Sequence, residues 1–476
     1  MIAALRTLFF LGLAIPVLSK PNILLISIDD LNDWVGCLQG HPQARTPNID
    51  RLAKSGTLFA NAHCQAPVCN PSRASLMTGR YPHSSGVYFL APDLKKAPAL
   101  RDLPTLPEVF AKEGYRTLAA GKLFHGHDQR YFQEYGGNMG GFGPRPAKKL
   151  SQPHGHPLWD WGAFPEKDEE MPDEKVADWA IEQLGKEHET PFLMGVGFWR
   201  PHVPMYAPQK WFDLFPREQI QLPKVRENDL ADISPYARDL TTLNHVAPTH
   251  SWMTTAGQWK HAVQAYLASI AFADHQVGRV LDALEASPHR DNTIVVLFSD
   301  HGFHLGEKER WAKRSLWEDG TRIPLIISAP GYQGDKVSAR PAELLDIFPT
   351  LLELASLPAD PKQEGQSLVP LLEDPQAAWQ HPALTSFGPG NIAIRTERMR
   401  YIRYADGSEE LYDHRTDPDE HFNLLHQSPV SPSDRKLADE LASHLPEREA
   451  PLLPGKSTGH EAFRAANDAR KLPTGD

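Results

Sequence analysis

The sequence predicts an α/β protein in which a large, mostly parallel β-sheet is sandwiched by helices and followed by a small antiparallel subdomain. Two observations support this class. Short apolar runs rich in β-branched residues, typical of strands buried on both faces, alternate along the chain with stretches of helical spacing. After about residue 380 the pattern changes to short strands and turns, such as Glu410-Leu411-Tyr412-Asp413. With 476 residues the chain is long enough to bury a large core.

Each predicted element has a local sequence signal. Thr46-Pro47 starts a helix, because threonine is a common N-cap and proline suits the first turn, and Gly56 ends it. Thr105 and Glu108 form a capping-box pattern at the start of a helix that Gly114 ends. The other predicted helices cover 173–186 and 258–286, and the predicted strands cover 21–28, 115–120, 192–197, 293–299 and 323–329.

The N-terminal residues 1–19 have the pattern of a secretory signal peptide. Arg6 precedes an apolar run that ends at Leu18, and the small residue Ser19 follows. The run is too short to span a bilayer as a helix. The predicted organisation is therefore a signal peptide at 1–19, a main domain at 20–380 and a C-terminal subdomain with a tail at 381–476. We expect the polar tail from Pro451 onward to be loosely ordered.

Charge and glycosylation signals limit the partners and the compartment. Forty-nine basic and sixty acidic residues give a formal net charge of −11, which argues against nucleic acid and acidic membrane surfaces as partners. No membrane span is expected. The one N-glycosylation pattern, Asn70-Pro71-Ser72, is disqualified by its proline, whereas an exported animal enzyme would normally carry several. We therefore expect a bacterial protein located in the periplasm or outside the cell.

The chain has three cysteines, Cys37, Cys64 and Cys69, so it is not a disulfide scaffold. If Cys69 has a separate role, Cys37 and Cys64 remain. The sequence leaves open whether those two pair or stay as buried free thiols, because it does not show their separation.

Residues 136–175 are rich in Gly, Pro, His and Trp and have little periodicity. A loop of this length in a compact protein usually shapes a binding site. Its Trp159 and Trp161 could stack on a sugar or pack against the body of the protein. The sequence leaves both readings open.

Residues 69–80 carry the strongest functional signal in the chain. Cys69-Asn70-Pro71-Ser72-Arg73 leads into a predicted helix. The N–H groups at a helix N-terminus, together with Arg73, suit a tetrahedral oxyanion such as sulfate or phosphate. Cys69 is then a candidate nucleophile that faces the ester to be cleaved. An isolated Cys-Xaa-Pro is more often structural, so the hypothesis depends on the full twelve-residue pattern.

Acidic residues follow two of the predicted buried strands. Asp29-Asp30 comes directly after the first strand, and Asp300-His301 comes after the strand at 293–299. Open α/β sheets hold their ligands at the carboxyl ends of strands. Three acids and an imidazole suit a divalent cation with mainly oxygen ligands, such as calcium or magnesium. Each pair by itself is explained equally well by a turn or a helix cap.

Residues 69–80, taken with these two acidic pairs, resemble the signature and metal site of type I, formylglycine-dependent sulfatases of the alkaline-phosphatase superfamily. The signature departs only at Met77, where the family more often has leucine. The resemblance implies that 20–380 is the catalytic domain and that a formylglycine-generating enzyme converts Cys69 to formylglycine during maturation. It also implies that Ca²⁺, or Mg²⁺ in its place, is bound by Asp29, Asp30, modified Cys69, Asp300 and His301.

Three further motifs resemble the iduronate-2-sulfatase branch of that family. They are Gly121-Lys122-Leu123-Phe124-His125, Phe198-Trp199-Arg200-Pro201-His202 and Trp311-Ala312-Lys313. Singly, each would more often be a surface lysine or a structural histidine. The chain departs from the branch at Trp199, where iduronate-2-sulfatase carries a histidine, which puts the substrate contacts there in doubt.

The same resemblance implies a role for each basic side chain in these motifs. Lys122 and Lys313 bind sulfate oxygens. His125 holds the formylglycine hydrate and later helps to eliminate sulfate, whereas His202 protonates the leaving alcohol. Arg73 completes the implied set of catalytic residues.

The resemblance covers residues from about 20 to about 425 and implies a sulfuric ester hydrolase that acts on a sulfated carbohydrate. Two alternatives stay open. One is a phosphomonoester or phosphonate hydrolase of the same superfamily, whose members more often use a threonine or serine nucleophile. The other is a non-catalytic carbohydrate-binding relative, which an unmodified Cys69 would favour. The sugar and the position of its sulfate are left open, because variable loops build that half of the pocket.

Overall fold

A computed structural model describes residues 20–151, 157–242 and 247–474, so the predicted signal peptide at 1–19 lies outside the described residues. The strands are β1 Asn22–Ile28, β2 Thr57–Phe59, β3 Ala62–His63, β4 Arg116–Gly121, β5 Glu134–Tyr135, β6 Trp161–Ala163, β7 Phe192–Phe198, β8 Met205–Ala207, β9 Thr293–Ser299, β10 His304–Leu305, β11 Trp311–Ala312, β12 Arg322–Ile323, β13 Leu325–Ser328, β14 Lys336–Ser338, β15 Ala342–Glu343, β16 Ala383–Ser386, β17 Ile392–Arg395, β18 Met399–Arg403 and β19 Glu409–Asp413.

The α-helices alternate with these strands over most of the chain. They are α1 Pro47–Ser55, α2 Cys69–Thr78, α3 Pro82–Ser85, α4 Leu106–Lys112, α5 Pro172–Leu184, α6 Gln209–Phe212, α7 Pro235–Thr242, α8 His250–Thr255, α9 Trp259–Ala286, α10 Glu318–Thr321, α11 Ile347–Leu354, α12 Val369–Glu373, α13 Pro432–Ala442 and α14 Thr458–Asp468. Every predicted helix and strand is present among them, within a few residues at the ends. The strand predicted over 323–329 is interrupted at Pro324, which has no N–H to donate.

The central sheet has eight strands in the order β14-β2-β13-β9-β1-β7-β4-β5. Strands β9, β1, β7, β4 and β5 run parallel to one another. Strand β13 is antiparallel to both of its neighbours. The predicted α/β architecture with a mostly parallel sheet is therefore confirmed.

Strand β1 lies near the middle of this sheet and is buried on both faces. Leu24 and Ile26 point into a core shared with α1, α5 and α9. Ile23 and Leu25 point into a second core shared with α2, α4 and α11. Successive side chains of a strand alternate between its faces, so an uninterrupted apolar run is what a helix-covered central strand requires.

The C-terminal part contains the predicted small antiparallel sheet, with strand order β16-β17-β18-β19 and α13 packed against it. The boundary predicted at residue 380 stays a prediction. The expectation of a loosely ordered tail is wrong for Thr458–Asp468, which form helix α14. Helix α14 begins after Ser457, whose hydroxyl accepts a hydrogen bond from the His460 N–H. Its Phe463 is buried against Phe89, an apolar anchor that the polar composition of the tail concealed.

The structure answers two questions that the sequence left open, the placement of two tryptophans and the state of two cysteines. Trp159 and Trp161 are 2% and 0% exposed and belong to the core, so they pack against the protein and do not face a sugar. Cys37 and Cys64 are free thiols. Within the described ranges, no helix has the length and apolarity that crossing a membrane requires.

Candidate active site

Four adjacent parallel strands end at the same edge of the central sheet. Their order there is β9, β1, β7 and β4, with Ile28 of β1 level with Ser299 of β9 and Phe198 of β7. The chain then continues from each strand end into one group of predicted site residues. Asp300 and His301 follow β9, Asp29 and Asp30 follow β1, His202 follows β7, and Lys122 and His125 follow β4.

Cys69, the first residue of α2, lies next to the residues that follow these strands. Its Sγ lies 3.2 Å from His301 Nε2 and 3.1 Å from Lys313 Nζ. Burial raises the pKa of the Cys69 thiol, although Lys122 and Lys313 act in the opposite direction. An unmodified Cys69 therefore stays protonated near neutral pH and is a poor nucleophile.

The two aspartates after β1 are completely buried and differ in their partners. Asp29 Oδ2 accepts from Lys122 Nζ at 2.5 Å, and Oδ1 accepts from Arg73 Nη2 at 3.1 Å. Burial favours the neutral acid, but these cations hold the pKa of Asp29 well below its ordinary value. Asp30 Oδ1 accepts from Lys313 Nζ at 2.6 Å, whereas its buried Oδ2 has no hydrogen-bond partner among the described residues.

The groups around Asp30 fit a divalent cation. His301 Nδ1 donates to the Gly302 carbonyl at 2.9 Å, which leaves the lone pair of Nε2 facing Asp30 Oδ1 at 3.2 Å. A hydrogen bond of this kind is how proteins orient a metal-binding imidazole. Ligand atoms lie within 4.8 Å of one another in three overlapping groups at this site, Asp29–Asp30–Asp300, Cys69–Asp300–His301 and Asp30–Cys69–His202. The unpartnered Asp30 Oδ2 and this mainly oxygen donor set suit calcium or magnesium.

Arg73 is 1% exposed, and its hydrogen bonds go to protein groups. Its Nε donates to Asp300 Oδ2 at 2.9 Å, so the guanidinium joins the carboxylates that follow β1 and β9. The remaining bonds go to Ser27 Oγ and to the carbonyls of Lys122 and Leu123. The sequence suggested that Arg73 contacts the oxyanion, whereas this geometry makes it a residue that positions the carboxylates.

Two basic side chains follow β7 and β4. His202 Nδ1 donates to the Val203 carbonyl at 2.6 Å, and Nε2 lies 3.7 Å from Asp30 Oδ2. Burial, reinforced by Lys313, holds the pKa of His202 well below its ordinary value, so the imidazole is neutral before substrate arrives. His125 is exposed three residues after Lys122, close enough to Lys122 for electrostatic interaction.

One residue of the segment predicted to shape a binding site, Phe142, packs against residues that follow β7. The Phe142 ring lies 5.1 Å from the Trp199 ring and 4.8 Å from the His202 ring, measured between centroids. The ring of Trp199, where the chain departs from the iduronate-2-sulfatase branch, lies 5.5 Å from Lys122 Nζ. The loop thus fixes the segment that carries His202.

Several residues of the site were missed by sequence reasoning. Tyr266 on α9 donates from its hydroxyl to the Asp30 carbonyl at 2.7 Å, and Asp173 on α5 accepts from the Trp199 N–H. Neither position carries a sequence signal, because helix residues far along the chain reach the site only through packing. Arg310 and Arg314 flank Lys313 and are also buried. Their position next to the Trp311-Ala312-Lys313 motif was a signal that could have found them.

Comparison with known proteins agrees with this geometry. The chain matches the sulfatase family over residues 21–357 and the C-terminal part of N-sulphoglucosamine sulphohydrolase over residues 306–447. It is 42% identical over 450 residues to a sulfatase of Formosa agariphila, with 88% of each chain covered. It is 32% identical over 390 residues to iduronate 2-sulfatase of Homo sapiens, with 72% of this chain and 70% of that one covered.

A solved structure shares the fold at lower identity. It is a phosphonate monoester hydrolase of Agrobacterium radiobacter, with a TM-score of 0.74 and 23% identity over 89% of this chain and 95% of that chain. At this level of identity the likeness concerns the fold alone.

Replacement of Arg73 tests its role in holding the carboxylates. Arg73→Ala leaves Asp29 and Asp300 without their shared buried cation, so we expect the free energy of unfolding to fall by about 3–5 kcal/mol. Arg73→Lys keeps the charge but cannot reproduce the fork of donors, and we expect a smaller loss. Denaturant unfolding of both variants measures the effect.

The control for this prediction is Arg290→Ala, which removes an arginine paired with Asp291 on the exposed surface. Its cost is expected to stay within about 0.5 kcal/mol. Equal stability of Arg73→Ala and Arg290→Ala would contradict the positioning role.

Proposed function

The chain belongs to the sulfatase family and is a sulfuric ester hydrolase, and we propose that it cleaves a sulfate ester of a carbohydrate through a formylglycine formed from Cys69. The observation that carries the proposal is the convergence on Cys69 Sγ of Lys313 Nζ and His301 Nε2, at 3.1 and 3.2 Å, at the carboxyl edge of the sheet. The likeness to iduronate 2-sulfatase favours a sulfated sugar, with a uronate 2-sulfate as the first substrate to try.

The nucleophile in this proposal requires the modification of Cys69. The thiol is protonated because burial raises its pKa. As a hydrated aldehyde, residue 69 would offer one hydroxyl for attack on sulfur and a second one for expelling sulfate without attack by water. A formylglycine-generating enzyme is therefore the proposed maturation partner, and the composition of residues 1–19 supports export of the protein.

The proposed metal ligands are Asp29, Asp30, Asp300, His301 and the modified residue 69. Calcium is the expected ion, and magnesium suits the same oxygen-rich set. Such an ion lowers the pKa of a hydroxyl bound to it and offsets the negative charge of the sulfate. The chain's part is to hold the carboxylates in place, which Arg73 and Lys122 do through their hydrogen bonds.

The remaining basic residues suit the sulfate and the leaving group. Burial by itself would lower the pKa of Lys122, but Asp29 raises it above its ordinary value, so the ammonium stays charged. Lys122 and Lys313 are therefore proposed to bind sulfate oxygens. His202 keeps Nε2 free because Nδ1 is bonded to Val203, and an arriving anion favours protonation there. A protonated His202 then donates to the leaving sugar oxygen, while the exposed His125 is proposed to hold the hydrate and assist the release of sulfate.

The identity of the nucleophile is tested by the mass of the peptide that contains residue 69, from protein made in its native host. We expect formylglycine at this position, and we expect Cys69→Ala to lower sulfate release to the uncatalysed background. Cys37→Ala, which changes a cysteine outside the site, is the matched control and should keep its activity. Unmodified cysteine with full turnover would contradict the proposal, and release of phosphate alone from an ester panel would favour the phosphohydrolase alternative.

The role of His202 as the acid predicts a dependence on the leaving group. General acid catalysis contributes about 10²- to 10⁴-fold for a basic leaving group and little for an activated phenol. His202→Ala should therefore lower kcat for a sugar sulfate at least about 100-fold more than kcat for nitrophenyl sulfate. The exposed His381→Ala serves as the control. Equal losses on the two substrates would remove the assigned role.

The metal ligands are tested by binding, which does not depend on turnover. Asp30→Asn and Asp300→Asn each remove a carboxylate from the proposed shell and should weaken Ca²⁺ binding more than about 10-fold in calorimetric titrations of metal-depleted protein. Asp291→Asn, on the exposed surface, is expected to bind Ca²⁺ like the unaltered chain. Unaltered Ca²⁺ affinity in both site variants would show that the ion binds elsewhere.

A further inference from the structure

Two partly buried acids outside the proposed catalytic site have no lysine or arginine partner among the described residues. Glu307 follows β10, and Asp319 lies in α10. Glu307 Oε2 accepts a hydrogen bond from the Leu305 N–H at 2.6 Å. The Asp319 side chain is 29% exposed, and within the described part of the chain only the imidazole of His304 lies within ion-pair distance of it. Burying an acid without a counter-ion is unfavourable, so this pair is unusual.

Neighbouring acids show the usual arrangement. Asp33 pairs with Arg322 at 3.0 Å, and Glu318 pairs with Arg395 at 3.0 Å. The fold therefore supplies arginines to these acids but not to the pair. Burial raises the pKa of Glu307 to about 7 and holds the pKa of its partner well above the ordinary value, and the charge of Asp33 adds to both shifts.

A buried imidazole faces the two acids. His304 is 0% exposed, and its Nδ1 lies 3.7 Å from Asp319 Oδ2 with no hydrogen-bond partner among the described residues. Burial lowers the pKa of His304 to about 3, with Arg310 adding to the effect, so the ring is neutral and does not supply the missing positive charge. Its Nε2 lies 2.6 Å from Ser315 Oγ. When Nε2 donates to this hydroxyl, Nδ1 presents its lone pair to the acids, as in an oriented metal-binding imidazole.

The three side chains are spaced as ligands of one ion. One ligand atom from each of His304, Glu307 and Asp319 lies within 4.8 Å of the other two. Both acids also line a cavity of about 640 Å³, which gives an ion a route to them and leaves room for water ligands. Among the described residues that line this cavity, none belongs to the proposed catalytic site.

We propose that His304, Glu307 and Asp319 form a second metal site, which binds a divalent transition-metal ion such as Zn²⁺. One imidazole nitrogen and two carboxylates are a donor set that zinc accepts, with water completing the shell. Calcium prefers a larger shell made almost entirely of oxygen, which suits the proposed catalytic site better than this one. The bound ion supplies the positive charge that the two acids lack.

The ion joins the two ends of the segment that carries Lys313. Glu307 precedes this lysine and Asp319 follows it. Four residues between the two acids have left-handed backbone conformations, which residues other than glycine rarely adopt. They are Lys308, Glu309, Ala312 and Arg314, with φ of 54°, 52°, 68° and 77°. The ion therefore stabilises an unfavourable segment against local opening.

The binding test is a calorimetric titration with Zn²⁺ in excess Ca²⁺, which keeps the proposed catalytic site occupied. We expect one Zn²⁺ to bind per chain. Asp319→Asn and Glu307→Gln each remove a carboxylate ligand and should weaken Zn²⁺ binding at least about 10-fold. Glu397→Gln is the matched control, because Glu397 lines the same cavity but pairs with Arg340, and its Zn²⁺ affinity should be unaltered.

Thermal unfolding and hydrogen exchange separate metal binding from a general loss of structure. Without metal, Asp319→Asn removes repulsion between two acids, so it should unfold at no lower temperature than the unaltered protein. Zn²⁺ should raise the melting temperature of the unaltered protein and of Glu397→Gln, but not that of Asp319→Asn. Zn²⁺ should also slow amide exchange over residues 304–321 in the first two proteins alone.

Asp300→Asn, which alters the proposed catalytic ion site, should bind Zn²⁺ like the unaltered chain. Zn²⁺ binding that is lost in Asp300→Asn and kept in Asp319→Asn would place the ion at the catalytic carboxylates and overturn the proposal. Unaltered Zn²⁺ affinity in both Asp319→Asn and Glu307→Gln, or no Zn²⁺ binding by the unaltered protein, would also overturn it. None of these measurements uses turnover, so the outcome is independent of the proposed sulfatase function.

Discussion

Three buried carboxylates at the ends of two adjacent parallel strands are the constraint on which the site depends. Asp29, Asp30 and Asp300 are inaccessible to solvent, and their desolvation and mutual repulsion are unfavourable unless cations come close. Arg73 meets this need for Asp29 and Asp300 together. Since Arg73 lies one turn after Cys69 on α2, the same ion pairs hold the proposed nucleophile against the strand ends.

The other cations bring distant segments to the same place. Lys122 arrives after β4 and bonds to Asp29, whereas Lys313 arrives after β11 and joins Asp30 to Cys69. Each lysine therefore holds the site together before substrate binds, and its ammonium group remains charged when the substrate arrives. Within the described part of the chain, one oxygen of the carboxylate cluster, Asp30 Oδ2, has no hydrogen-bond partner, and the donor set around it suits a divalent cation.

Much of the fold could be predicted from local sequence patterns, and the predictions that failed did so for physical reasons. The strands beside β1 were predictable because strands buried on both faces need uninterrupted apolar runs. The helix in the C-terminal tail could not be predicted, because Phe463 becomes a buried anchor only when the fold brings Phe89 next to it. The sequence was compatible with Trp159 and Trp161 either stacking on a sugar or packing in the core, and only their burial decided between the two. Asp173 and Tyr266 had no signal at all, since their bonds to the site join distant parts of the chain.

The sequence by itself determined the chemistry that this protein carries. The motif at 69–80, the acids after two apolar runs and the lysine and histidine motifs specify residue types that only a few reactions need. The tertiary structure decided which groups compensate one another. It turned Arg73 toward the carboxylates and left Asp30 Oδ2 without a hydrogen-bond partner among the described residues. The reason is that charge compensation depends on distance in space, and sequence order does not contain those distances.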